Sequence, residues 1–138
     1  MTFLQLPSIV LCPLAGGLIC LVLPGTLGGL RRVVALATAL LVMLLSIRIA
    51  GPAIRAGIPA APLSDWLRLD ALAALVLLLT AFYTVLITLY SWRFMEAHPR
   101  ENEYYAFLLW TTAASVGAVM ANDLILLLVF WGVLGLTL

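Results

Sequence analysis

The sequence contains no lysine. Its 7 basic residues are all arginine, set against 6 acids and 1 histidine in 138 residues. Charged residues amount to 9%, where a soluble domain carries about 25%. With no basic stripe to meet a phosphate backbone, nucleic acid is excluded as a partner. Cysteine is scarce too, at 2. Cys12 and Cys20 share one apolar run and would stand about 12 Å apart along a helix, too far for a disulfide or a shared metal ion. They are expected as free thiols buried like small hydrophobes. No positively charged stretch precedes the first apolar run and no small-residue cleavage signal follows it, so that run is expected to be retained rather than removed as a signal peptide. There is no nucleophile with a base beside it, no phosphate-cradling glycine loop and no metal-ligand cluster. No catalytic residue, metal or cofactor is therefore expected.

What the chain has in quantity is apolar surface. Hydrophobic residues make up 65%, more than one core of this length can hide from water. A bilayer accommodates it. A spanning helix needs about 20 mostly apolar residues, and five segments qualify: 7–24, 33–50, 71–90, 104–121 and 123–138. Pro13 predicts a kink in the first. "GTLGGLRR" reads as a glycine-rich turn ending in Arg31 and Arg32, and Gly51-Pro52 as the end of the second span. Residues 51–69, with Pro52, Pro59, Pro62, Asp65, Trp66 and Arg68, read as an interfacial loop with Trp66 at headgroup depth. Residues 91–103, "SWRFMEAHPRENE", read as a hydrated polar loop. The fold class is an all-α integral membrane protein in a single domain. Arg31-Arg32 is the only short, purely basic loop, which places it in the cytoplasm and the N-terminus outside. That orientation leaves Arg31, Arg32, Arg93 and Arg100 inside against Arg48, Arg55 and Arg68 outside.

An ionisable group deep in a membrane is a functional candidate, and no segment carries a clear one at mid-depth. Asp70 and Asp123 each stand at a helix N-terminus, where capping explains a carboxylate, with Asn122 as a natural cap beside Asp123. His98 with Glu96, Glu101 and Glu103 matches no metal-ligand spacing and is expected to be solvated. Thr80, Thr84 and Thr88 share one helix face. A hydroxyl-lined path is one reading; bonds to their own backbone or to the next helix are the commoner one. Ala113, Gly117 and Ala121 form a small-residue row that predicts close helix packing.

The stretch "LRLDALAALVLLLTAFYTVLITLYSWRFM", a short charged loop and "EYYAFLLWTTAASVGAVMANDLILLLVFWGVLGLTL" resembles the N-terminal part of the proton-conducting antiporter-like subunits. These are the large antiporter-like membrane subunits of respiratory complex I, their relatives in membrane-bound hydrogenases and formate hydrogenlyase, and Mrp-type antiporters. "CPLAGGLICLVLP" fits the first helix of that family loosely. The resemblance implies a periplasmic N-terminus, a prokaryotic-type inner membrane, and other membrane subunits as partners beside the lipid. It also implies a mid-membrane glutamate after the Trp of the last segment, paired with a lysine two helices later, as the proton-coupling pair. Here that position is Gly132. Asp123 does not replace it, because nine residues of helix set it about 13 Å nearer the surface and on the opposite face.

The expectation is thus a membrane subunit, or part of one, in an ion-translocating complex of the NADH:quinone oxidoreductase, hydrogenase or Mrp type, structural and not conducting by itself. The alternative is a small membrane interaction or assembly protein without transport, or a degenerate remnant. The last segment raises the same choice. From Asp123 to Leu138 a helix is about 24 Å long, against a hydrocarbon core of about 30 Å. Its end is expected to be continued on another polypeptide, covered by partner helices, or the result of truncation.

Overall fold

The computed structural model describes residues 5–24, 27–56, 61–62, 67–96 and 98–137. Five helices and one two-stranded ladder follow in chain order: α1 (Gln5–Val22), α2 (Gly28–Ala56), β1 (Ala61–Pro62), β2 (Arg68–Leu69), α3 (Ala71–Phe94), α4 (Glu101–Met120) and α5 (Leu124–Thr137). The strands pair antiparallel, Ala61 with Leu69 and Pro62 with Arg68, so the all-helical expectation is modified only in the α2–α3 connection. Leu67 bridges to Ala121 and ties that connection to the end of α4.

α4 touches each of the other four helices. Its small residues make this possible. Ala106, Ala113 and Ala114 are buried, and a side chain placed at Gly117 would collide with the Phe130 ring of α5. Opposite, a Cβ at Gly17 of α1 would come within 2.5 Å of the Trp110 indole, whose Nε1 donates to Leu14 O at 3.2 Å. The core has two parts. At one end Ile9, Ile49, Ala50, Leu69, Ala73, Ala74, Leu77, Val116 and Met120 pack together. At the other are Cys20, Ala35, Met95, Tyr105 and Leu109. Each cluster joins the start of one helix to the end of its neighbour, the signature of an up-and-down bundle.

Four boundaries differ most from the sequence reading. α2 does not end at Gly51-Pro52 and does not begin after Arg32; it is continuous over 29 residues. Ile49 and Ala50 are buried against α3 with Ala53 packed beside them, and that contact outweighs the one backbone bond lost at Pro52. Consequently residues 51–56 belong to a helix rather than to a loop. α3 runs on to Phe94 and α4 begins at Glu101, which shrinks the polar loop to the residues between them. α1 holds Pro13 within its length, as expected, and the proline is fully buried. Trp66 and its expected headgroup depth lie outside the described residues.

α2 from Gly28 to Arg55 and α3 are long and apolar enough to cross a membrane, while the apolar helices Ser8–Val22 and Leu124–Thr137 are shorter. The outer surface is oily throughout: Val22 is 80% exposed, Phe94 74%, Leu124 72% and Leu136 84%. Water does not tolerate apolar patches of that extent on a monomer. The bundle is that of an integral membrane protein.

Candidate functional site

The polar groups gather at the end of the bundle where α1 meets α2 and α3 meets α4. Arg31 and Arg32 stand near the N-terminus of α2, the wrong end of a helix dipole for a cation. Two compensations hold them. Arg31 turns back over the C-terminus of α1, donating from Nε to Cys20 O at 3.2 Å and from Nη2 to Leu23 O at 2.7 Å and Pro24 O at 3.2 Å. It thereby satisfies carbonyls that a helix end leaves unpaired. Arg32 donates from Nε to Glu101 Oε1 at 2.6 Å and reaches Glu96 at 3.3 Å. Arg31 lies 3.9 Å from the other oxygen of Glu101.

Glu101 itself is the first residue of α4, where the dipole favours a carboxylate. It is 5% exposed, and Arg31 and Arg32 are 3% and 8% exposed. The expectation of a hydrated loop is corrected here. Glu96 and His98 are exposed, but Glu101 is buried in a two-arginine clamp. The close seat of Gly28, where a Cβ would lie 3.2 Å from Glu101 Oε2, lets the carboxylate sit against α2. Sequence reasoning treated the two arginines as an orientation signal alone. Basic residues at a helix start, with an acid opening another helix at the same end, were the available clue.

The remaining candidates are placed as follows. Asp70 caps α3, its Oδ1 accepting from Ala73 N at 2.6 Å. Asp123 precedes α5, its Oδ1 accepting from Ile125 N at 3.3 Å and its carbonyl from Leu127 N at 3.0 Å. Both bonds place Asp123 at the N-terminus of α5, as expected of a capping acid. His98 Nδ1 accepts from Arg100 N at 3.3 Å, and no metal-binding group exists among the described residues. Thr84 and Thr88 bond their own helix, as the commoner reading had it, and Thr84 also reaches Thr112 of α4 at 3.0 Å.

Gly132 lies on α5, a helix with no buried residue. Nothing stands within 4 Å of where its Cβ would be, and the same holds at Gly135. Eight residues from the start of α5 put Gly132 about 12 Å down the bundle. Beside it Trp131 lines a groove of about 430 Å³ with Val76 and Thr80 of α3 and Ser115 of α4. The structure does not join Gly132 to the buried Arg–Glu cluster, which lies at the end of the bundle opposite the start of α5.

The oily helical bundle, with its buried ion pairs gathered at one end, is that of an integral membrane protein. Residues 62–105 match the family model described as NADH-Ubiquinone oxidoreductase (complex I), chain 5 N-terminus. That stretch takes in β2, α3, the turn and the first residues of α4 with Glu101, so the resemblance to the N-terminal part of the antiporter-like subunits is shown there. The match stops short of Asp123 and Gly132. No curated protein matches the chain.

Proposed function

We infer that the chain serves as the N-terminal portion of an antiporter-like membrane subunit in an ion-translocating complex, acting as scaffold and not as conductor. The match over residues 62–105 carries this reading. On it, all five helices cross or enter the bilayer, α1 and α5 despite their shorter apolar lengths. The N-terminus lies outside and the Arg31–Arg32–Glu101 clamp lies in the cytoplasm of a prokaryotic-type cell. The complex belongs to the NADH:quinone oxidoreductase, hydrogenase or Mrp class, and neighbouring membrane subunits are the partners. Conduction is not assigned to this chain, since Gly132 offers no proton-binding group at mid-depth and the chain has no lysine to pair with one.

Extraction from the native membrane in mild detergent, followed by intact mass, tests the assignment. A chain travelling with further multi-helix subunits is the expected result. The same chain found alone overturns it in favour of a small interaction or assembly protein. In vesicles, Gly132→Glu is expected to leave proton permeability at the background of the unaltered chain, because the sequence has no lysine to modulate the new acid. Robust proton flux from that single variant would contradict the scaffold role.

A further inference from the structure

The buried face of α3 carries Thr84, Thr88 and Ser91, each 4% exposed or less. Every one of these hydroxyls donates to a backbone carbonyl on its own helix: Thr84 to Thr80 O at 2.8 Å, Thr88 to Thr84 O at 2.7 Å and Ser91 to Thr88 O at 3.1 Å. Across the interface Thr112 donates to Leu108 O at 2.9 Å and lies 3.0 Å from Thr84 Oγ1. Thr84 and Thr112 thus share three short contacts and have only two protons between them. One contact is always without its hydrogen.

A second group above them is also short of a partner. Tyr105 is fully buried, and its Oη makes no hydrogen bond of good geometry, Ser91 of α3 being the hydroxyl that faces it together with Glu101 and Arg32. A buried hydroxyl left this way costs about 1–3 kcal/mol, and such groups nearly always find protein or water. Below, a groove of about 260 Å³ opens between α3 and α4. Of the eight residues that line it, six carry hydroxyls: Thr80, Tyr83, Thr84, Thr111, Thr112 and Ser115.

We propose that this seam binds water. One molecule accepts from Tyr105 Oη beneath the Arg32–Glu101 pair, and others in the groove donate to whichever of Thr84 and Thr112 has a free lone pair. The groove has room for more than one molecule, and its hydroxyls give such waters polar partners. The charged end of the bundle is thereby joined to its middle by hydrogen-bonding groups rather than by hydrocarbon. The inference rests on the bundle lying in a bilayer, as proposed above, and needs neither a partner subunit nor transport.

The test uses the full chain in phosphatidylcholine vesicles, isotope-labelled at Thr and Tyr, with water-to-protein magnetisation transfer read by solid-state NMR. Thr38 is the reference: it is buried, donates to Val34 O at 2.8 Å and packs against Gly16, away from the seam. Thr84, Thr112 and Tyr105 are expected to gain signal several times faster than Thr38. Thr112→Val and Tyr105→Phe are expected to slow the gain at Thr84 while helicity is retained. If Thr84 and Thr112 gain signal as slowly as Thr38, the seam is dry and the proposal fails. Equally fast gain at Thr38 overturns it as well, since the water would then be a leak through the whole bundle. Alkaline carbonate extraction of the same vesicles reads membrane embedding separately.

Discussion

At the scale of the residue, Glu101 carries the largest consequence. It is the one acid among the described residues held under two arginines, and both arginines are themselves nearly inaccessible. Removing one partner of a buried ion pair strands the other charge, at about 3–5 kcal/mol. Glu101→Ala is therefore expected to lower unfolding free energy by about that much, measured by denaturant titration in detergent micelles. Arg32→Ala added to it should cost less than the sum of the two single changes, because each already removes the shared contact. A loss below about 1 kcal/mol in the single variant would mean that the clamp is solvated after all. Arg100→Ala, at an exposed position, serves as the silent control. Little of this was legible in the sequence. "RENE" by itself does not say which acid turns inward; the clue lay at the start of α2 with Arg31 and Arg32, some 70 residues earlier. Asp70 was legible, because a cap is satisfied within its own helix and needs no tertiary partner.

At the scale of the element, the helices divide by which small residues are filled from outside. Gly117 is a notch for Phe130, whereas Gly132 and Gly135 face open space. The same substitution should then act oppositely on the two helices. Gly117→Ala pushes the ring of Phe130 out of its seat and is expected to loosen α5 from α4, seen as faster hydrogen exchange in residues 124–137. Gly132→Ala relieves the poor helix propensity of glycine and is expected to be neutral or stabilising by up to about 1 kcal/mol in the isolated chain. Destabilisation by Gly132→Ala would reveal a contact on that face that the bundle does not show. Five apolar segments could be read from hydropathy because α1, α2, α3 and α5 carry apolar side chains on their exposed faces as well as in the core, and α4 is surrounded by the other helices. Their ends could not. Gly51-Pro52 carries every mark of a stop, yet Ile49, Ala50 and Ala53 are gripped by α3 and the helix passes through.

At the scale of the whole molecule, the bundle sorts its arginines. Arg31 and Arg32 meet Glu96 and Glu101 at one end. At the other, Leu67 pairs with Ala121, and Leu69 packs with Ile49. Arg93 and Arg100 flank the first end, and Arg48, Arg55 and Arg68 lie toward the second. The excess of arginine at the first end is a single residue, and with the three glutamates counted there and the three aspartates at the other the net charges also differ by only one. The positive-inside rule counts basic residues and largely ignores acids, and the proposed orientation, with the first end cytoplasmic, follows that count. Single cysteines read this directly. His98→Cys, at an exposed position between α3 and α4, is expected to react with a membrane-impermeant maleimide only in inverted vesicles. Arg68→Cys is expected to react only in right-side-out ones, and Cys12 and Cys20, within α1, should stay silent in both. Opposite labelling at the two positions establishes that α3 spans the bilayer. The reverse pattern would keep that span and the bundle but invert the protein, leaving acid–arginine pairing, rather than arginine count, to set its direction.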